Sequence, residues 1–226
     1  MTNPNTIQVP ANLLEAVAVA QAQATEDPRR YLCGVHFEAG AMVATDGYLL
    51  TAAQIDYAGP SLILPISKKA HAAARGKQAA YVTYDPAARV LQVLKYDESV
   101  IHMEPAVPID GTFPAWRRIL HGWKLEISAE IRKARAEGRP DPATFGPRWL
   151  SPAMVARIAE TARYIAPTGS VCIEGLPTGP QLVRYASAAV EHAIYSIAMP
   201  MRAPEGAVTD ATGLDWTAEG AQSAAA

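Results

Sequence analysis

The chain has 226 residues, half of them hydrophobic, and a formal net charge of −2. This composition indicates a globular protein of one or two domains and argues against a protein that coats nucleic acid with its whole surface, because such binders carry a strong basic excess. The sequence begins with neither a basic cluster nor an apolar run, and no segment has about 18 uninterrupted apolar residues. No signal peptide or membrane span is therefore predicted, and a cytoplasmic location is expected.

The first predicted unit is a helix followed by strands. Residues 10–24 are rich in alanine, and Pro10 suits a first helical turn. Residues 31–37 and 42–45 are apolar, strand-like runs, and Asp46 with Gly47 predicts a tight hairpin turn after them. Hairpin geometry alone explains this aspartate, because no nucleophile or base accompanies it.

The same pattern recurs twice. Ser67 predicts the N-cap of a short helix that Gly76 ends, and Ser151 opens a third helix that continues to residue 164. A helix and three antiparallel strands cannot cover their own apolar sheet face, so the copies should pack as a sheet layer and a helix layer. The fold class is therefore predicted to be α+β. The strand-like runs of the second and third copies are residues 79–84, 90–95, 99–103, 171–174, 181–186 and 192–199.

A segment between the second and third copies interrupts the repeat. Ser128 predicts the N-cap of an inserted helix over residues 129–137, which a proline-rich loop follows. The stretch from residue 204 onward has little to bury and is expected to be disordered. The predicted organisation is a domain of two units in residues 1–120, a second, shortened domain in residues 121–203, and a tail in residues 204–226.

Residues able to carry chemistry are sparse. Cys33 and Cys172 each lie in an apolar, strand-like stretch and are expected to be buried free thiols. His36 lies two residues from Glu38, but no further ligand has metal-binding spacing. No glycine-rich phosphate cradle is present. The sequence therefore predicts no catalytic residue, no metal and no cofactor.

Three segments follow one another in a recognisable order: residues 30–38 running into 43–50, residues 109–120, and residues 197–202. They resemble, respectively, the start of the middle domain, the junction between the middle and last domains, and the C-terminus of the bacterial DNA polymerase III beta subunit, the sliding clamp. The resemblance covers residues 7–120 well and 148–202 loosely. It implies a clamp-like fold in a short, phage- or plasmid-type version, because the family's chain has three domains of two such units each.

In that family the three segments converge on one pocket, which receives a short linear peptide from a polymerase or another client. The resemblance therefore implies an apolar peptide-binding groove, in which each buried Leu or Phe anchor contributes about 1.5–3 kcal/mol before ordering costs. Tyr48 and Leu49 replace a His-Arg pair common in the family, which makes the rim more apolar. Carried over position by position, the groove consists of Thr45, Gly47, Tyr48, Leu50, Pro114, Arg118, Ile119, Ile197, Met199, Pro200, Met201 and Arg202.

Two basic clusters fit a second implication of the resemblance, since the family's rings surround duplex DNA with helices that line the hole. Sequence-independent contact with phosphates needs Lys and Arg on a rigid surface, although such clusters are also common on solvated helix faces. Residues 13–24 contain neither Lys nor Arg. The candidate DNA-facing residues are Lys68, Lys69, Arg75, Lys77, Arg132, Lys133 and Arg135.

Two functions without chemistry of their own remain open. One is a processivity factor of DNA replication that encircles double-stranded DNA as a homo-oligomer and binds DNA polymerase or other clients, with a clamp loader as a further implied partner. The ring would be a trimer or a tetramer, depending on whether the insert replaces a missing unit. The other is a non-encircling clamp mimic that binds client peptides or the host clamp and modulates replication.

Overall fold

The computed structural model describes residues 6–22, 28–139, 150–175, 179–186 and 193–199. Eleven strands and four α-helices are present in these ranges. The strands are β1 (Ile7–Pro10), β2 (Val35–Glu38), β3 (Ala41–Thr45), β4 (Leu49–Gln54), β5 (Leu62–Leu64), β6 (Tyr81–Asp85), β7 (Val90–Leu94), β8 (Val100–Pro105), β9 (Ser170–Glu174), β10 (Gln181–Ala186) and β11 (Ile194–Ala198). The helices are α1 (Ala11–Ala18), α2 (Lys68–Ala74), α3 (Trp116–Ala136) and α4 (Pro152–Ile165).

The strands form two antiparallel sheets, one of four strands in the order β1-β6-β7-β8 and one of seven in the order β5-β2-β3-β4-β11-β10-β9. The third meander, β9–β11, extends the sheet of the first unit, because β11 pairs with β4. The first and third units therefore share one sheet across the inserted segment. The predicted α+β class is confirmed.

The main core lies between the sheets and helices α1, α2 and α4. Leu14 and Val17 of α1 and Ile158 of α4 are buried in it with residues of both sheets, and burial of each such side chain contributes about 1.5–3 kcal/mol. α1 lies between α2 and α4 and exposes only Asn12. The helix α1 therefore contains no Lys or Arg because nearly all of its side chains are buried in the core.

One charged residue of α1 is nevertheless buried. Glu15 is 1% exposed, and its two carboxylate oxygens accept hydrogen bonds from His71 Nδ1 and Arg75 Nε, each at 2.6 Å. The hydrogen bond from Arg75 to Glu15 raises the pKa of the guanidinium. A buried carboxylate needs such partners, because removing them leaves an uncompensated charge in the interior. These contacts join α1 to α2.

A second, smaller core lies on the opposite face of the seven-stranded sheet. β3 shows the alternation, since Met42 and Ala44 belong to the main core whereas Ala41 and Val43 belong to the second. We call this second core the outer cluster. The start of α3 packs on it through buried Trp116.

Four expectations from the sequence were wrong in detail. The strand predicted over residues 31–37 begins only at Val35, because Arg30–Leu32 form a 3₁₀ helix. α3 begins at Trp116 rather than at residue 129, because Trp116 and Leu120 already have helical spacing and pack on the outer cluster. α1 ends at Ala18 rather than at residue 24. Cys172 is exposed, not buried, because β9 is an edge strand; Cys33 is buried as expected.

The predicted tail, residues 204–226, lies outside the described residues. No described helix has the length and hydrophobicity needed to cross a membrane.

Candidate functional site

The turn between β3 and β4 carries the first group of predicted groove residues. Buried Thr45 shapes this turn, since its Oγ1 donates to the Leu49 carbonyl at 2.8 Å and accepts from the Gly47 amide at 3.0 Å. Asp46 Oδ1 accepts from the amides of Tyr48 and Leu49 at 2.8 and 2.9 Å. Gly47 has a φ of +96°, a conformation that favours glycine. As a result Tyr48 projects outward and is 68% exposed.

An ion pair that the sequence did not reveal fixes this turn to α4. Arg157 Nη1 lies 2.5 Å from Asp46 Oδ2. The same guanidinium donates from Nε and Nη2 to the Val19 carbonyl, just after α1, at 3.2 and 2.9 Å. Arg157 and Asp46 are 111 positions apart, so no local pattern could have indicated their contact. Arg157 thereby holds α4, the end of α1 and the turn together.

The pairing of β4 with β11 brings the first and third predicted segments together. Leu50 lies opposite Ile197 in the register, and both side chains are buried in the outer cluster. One residue beyond β11, the Met199 amide donates to the Tyr48 carbonyl at 2.9 Å. Met199 is 44% exposed beside the exposed Tyr48. The strand ends therefore present two large apolar side chains to solvent above a buried apolar floor.

The second predicted segment lies against the same outer cluster. Phe113 and Trp116 are buried in it, and the Trp116 indole donates to Glu38 Oε1 at 3.0 Å. Arg118 and Ile119 follow in the first turn of α3 and are exposed. All three segments thus contribute to one apolar cluster.

Exposure divides the predicted groove residues into two groups. Thr45, Leu50 and Ile197 are buried and form the frame and floor, and Pro114 is half-buried. Pro200, Met201 and Arg202 lie outside the described residues. We use the name apolar surface for the exposed members, which are Gly47, Tyr48, Arg118, Ile119 and Met199.

A cleft of about 730 Å³ lies beside the outer cluster. Its walls are residues of β2 and β5 on one side and residues 108–118 on the other. It shares Pro114 and Arg118 with the predicted groove and contains none of the groove residues from β4 or β11. The cleft is therefore a neighbour of the predicted groove.

His36 and Glu38 are polar residues of the β2 wall of this cleft. The His36 ring stacks on Phe113 with 4.4 Å between centroids, and its Nε2 lies 3.4 Å from Glu38 Oε2. Burial lowers the pKa of His36 although the Glu38 carboxylate acts to raise it. Arg117 Nη2 lies 2.9 Å from Glu38 Oε1, and its guanidinium lies over the Trp116 ring. No group of His, Cys, Asp and Glu in the described ranges has an arrangement that could hold a metal ion.

The candidate DNA-facing residues fall into two separate groups. Lys68, Lys69 and Lys77 are exposed on or just after α2, whereas the Arg75 guanidinium pairs with Glu15. The others, Arg132, Lys133 and Arg135, are exposed on α3, which begins on the opposite face of the sheet from α1, α2 and α4. Of the predicted DNA-facing residues, the exposed ones on the layer formed by α1, α2 and α4 are therefore the three lysines.

Solved structures with a similar fold are DNA polymerase III beta subunits, and they show that the chain has the sliding-clamp fold. The beta subunit from Thermotoga maritima is 17% identical with a TM-score of 0.55, over 90% of this chain and 67% of that one. The subunit from Pseudomonas aeruginosa is 17% identical with a TM-score of 0.52, over 89% and 68%. The sliding clamp from Bartonella birtlesii, bound to griselimycin, is 14% identical with a TM-score of 0.55, over 90% and 67%.

The chain spans about two thirds of the length of these clamps. No family model matches the sequence, and no curated protein does. At such low identity the likeness extends to the fold, and the expected clamp-fold relationship is confirmed at that level.

Replacing Arg157 by Met should lower the free energy of unfolding by about 2 kcal/mol, because the change leaves the Asp46 carboxylate and the Val19 carbonyl without their donor. Chemical denaturation would measure this loss. The matched control is Arg163→Met, since Arg163 is on the same helix but is 68% exposed and lies 3.7 Å from Glu160. The control should cost less than about 0.5 kcal/mol. Equal losses in the two variants would contradict the role assigned to Arg157.

Acidification should destabilise the protein through His36. Its pKa in the folded chain is below the 6.5 of the unfolded chain, so between these two values the unfolded chain binds the proton that the folded chain does not. Stability is therefore expected to fall as the pH drops below about 6.5. The variant His36→Phe should show a smaller fall, measured by urea denaturation across pH 5–8. Parallel curves for the two proteins would rule out this contribution.

Proposed function

We propose that this chain is a clamp-type accessory protein of DNA replication that binds client peptides on the apolar surface. The convergence of three distant segments on the outer cluster is the observation that carries the proposal. Tyr48 and Met199 lie side by side there, joined by a hydrogen bond of 2.9 Å. Exposed apolar side chains over a rigid, buried floor suit the Leu and Phe anchors of a short peptide, and flexible Met adapts to different anchors.

The proposal includes weak, sequence-independent contact with duplex DNA through the helix layer. Lys68, Lys69 and Lys77 are exposed and supply positive charge without any base-reading geometry. Such contacts weaken with salt and allow movement along the duplex. Client binding to a protein that also holds DNA would raise the local concentration of a polymerase at its template. No step of this function requires a catalytic residue.

In its full form the proposal is a homo-oligomer, a trimer or tetramer, that encircles the duplex and is placed there by a loader. The two sheet edges formed by β8 and β9 support it, since both are exposed in the described chain. A particle with outer edges of this kind can contact further copies head to tail. Light scattering at high protein concentration should then give the mass of three or four chains.

A non-encircling clamp mimic is the second candidate function. The observation that favours it is that β4 already pairs with β11 of the same chain, so both sides of β4 are occupied. A monomer in light scattering that still binds client peptides would support the mimic and contradict the ring.

The double substitution Tyr48→Ala with Met199→Ala should weaken peptide binding at least tenfold, because it removes the exposed contacts while leaving the buried floor intact. The probe is a fluorescein-labelled hexapeptide that contains two Leu and one Phe, with micromolar affinity expected for the unmodified protein. Fluorescence anisotropy would measure the affinity. The control Tyr96→Ala removes a tyrosine that is 81% exposed in the turn between β7 and β8 of the other sheet. If the double variant bound as tightly as this control, the apolar surface would not be the client site.

Exchanging Lys68, Lys69 and Lys77 for Glu should weaken duplex DNA binding and reduce its dependence on salt, because fewer counterions are released. Electrophoretic mobility shifts at several salt concentrations would measure both effects. The comparison variant carries the same change at Arg132, Lys133 and Arg135. Since α3 begins on the other face of the sheet, we expect the smaller loss there. Unchanged DNA binding in both variants would leave the peptide-binding mimic as the surviving function.

A further inference from the structure

We propose that the exposed edge of β9 pairs with the β9 edge of a second copy of this chain, in an antiparallel contact centred on Cys172. The inference goes beyond the proposed function, since peptide binding at Tyr48 and Met199 requires no such contact. β9 is the last strand of the seven-stranded sheet, and no described strand lies on its other side. In the described chain that side is therefore open to another strand.

The β9 edge lacks the features by which edge strands usually avoid other strands, namely prolines, lysines and bulges. It contains neither Pro nor Lys, and its register with β10 is unbroken over all 5 of its residues. The edge strand β8 of the other sheet differs, because it ends in Pro105 and its pairing with β7 is shifted between Val93 and Leu94. Of the two edges, β9 is thus the one that suits regular pairing.

The order of side chains in β9 matches a second copy of the same strand. When two such strands run antiparallel about Cys172, Val171 of each copy lies opposite Ile173 of the other, and Ser170 lies opposite Glu174. Directly opposite β-branched side chains stabilise a sheet, and a Ser hydroxyl can donate to a carboxylate. Each of these pairs occurs twice, because the contact has twofold symmetry. The edge is therefore self-complementary, as a symmetric contact between two copies requires.

The apolar face of β9 continues the face of the sheet that carries the main core. Val171 and Ile173 lie opposite Tyr185 and Val183 of β10, whose side chains are buried in that core. They nevertheless remain 40% and 37% exposed, because β9 is the last strand of this sheet in the described ranges. A second copy would place its own Ile173 and Val171 beside them. Pairing would therefore extend an apolar layer that ends abruptly in one chain.

Charge does not oppose the contact. Glu174 is the one charged residue in the sequence of β9, and its Oε2 lies 3.0 Å from Arg184 Nη2 on β10 of the same chain. Arg184 lies opposite Cys172 in the register. Across the symmetric contact the two Arg184 residues would be three strand spacings apart, about 14 Å, where salt screens most of their repulsion.

A contact between like edges restricts the assembly. It takes the place of a head-to-tail contact between β8 and β9 at the same edge. A ring can then close only if β8 also meets β8, so the number of chains must be even. A pair or a tetramer agrees with this rule, whereas a trimer does not.

Light scattering of the full chain at high concentration, under reducing conditions, tests the contact. We expect the mass of two or four chains. Ile173→Lys should halve that mass, because it places a charge in both apolar pairs. The control Val155→Lys makes a similar change at a residue that is 51% exposed on α4, and it should leave the mass unchanged. Cys172→Ser should also keep the mass, since the pairing needs no disulfide.

Oxidative cross-linking measures the register without a charged variant. Directly opposite residues of an antiparallel pair have Cα atoms about 4.5–5.5 Å apart, within the range that a disulfide spans. The oxidant diamide takes up the two hydrogen atoms that two thiols lose when the disulfide forms. Cys172 should therefore link two copies on a non-reducing gel. Cys172→Ser should leave single chains, although the buried thiol of Cys33 is still present.

A mixture of two variants locates the pairing more sharply. On the Cys172→Ser background, Val171→Cys and Ile173→Cys are made in separate proteins, one of which carries a size tag. Residue 171 lies opposite residue 173 in the proposed contact, whereas like residues lie on a diagonal about 7–8 Å apart. With diamide the mixture should therefore cross-link about tenfold faster than either protein alone.

The outcomes separate this inference from the proposed function. A monomer or a trimer in light scattering would overturn it, as would a mass that Ile173→Lys leaves unchanged. Equal cross-linking rates in the mixture and in the separate proteins would overturn the register centred on Cys172. If urea denaturation showed that Ile173→Lys does not fold, the mixture would decide. Loss of hexapeptide binding alone would remove the client site and leave the β9 contact in place.

Discussion

The antiparallel pairing of β4 with β11 is the contact on which the rest of this molecule depends. It joins units that are far apart in sequence into one seven-stranded sheet. Its register is fixed by polar side chains in the interior: Thr51 and Ser196 are fully buried and bond to each other at 2.7 Å, and the Tyr185 hydroxyl lies 2.8 Å from Ser196. A slip by one residue would separate these groups and turn Leu50 and Ile197 away from the outer cluster. The pairing therefore has one favourable register.

That register determines the geometry of both faces at once. On the outer face it places Met199 beside Tyr48, which neither strand could do alone. On the inner face it brings α4 against α1, so that Arg157 reaches Asp46 and the turn that carries Tyr48. Stability and the proposed client surface thus depend on the same contact. A change that loosens the third unit would remove Met199 from the apolar surface as well as part of the core.

Turn and N-cap residues in the sequence were sufficient to predict most helices and strands, but they did not predict which of these pack or pair with one another. Asp46-Gly47, Ser67 and Ser151 mark a turn and two helix starts, and the structure has each of them at that position, since these signals act over a few residues. The contacts of the candidate site could not be predicted in this way. Arg157 could not be identified, because its role arises from a contact across 111 positions. Thr45 was placed in the groove by resemblance, whereas its buried hydroxyl shapes the turn.

An odd number of helix-meander units explains why the β9 edge remains open in the described chain. In the complete pair of units, β1 crosses over to pair with β6 and β5 crosses over to pair with β2, so each unit completes the sheet of the other. The third unit has β4 beside β11, but among the described residues no corresponding strand lies beside β9, where Val171 and Ile173 are 40% and 37% exposed. At the other end β8 is also an edge. Since unpaired edges favour pairing with further strands, the choice between a ring and a monomeric mimic depends on whether the edges at β8 and β9 find partners. Tyr48 and Met199, by contrast, are brought together at the β4–β11 junction within one chain.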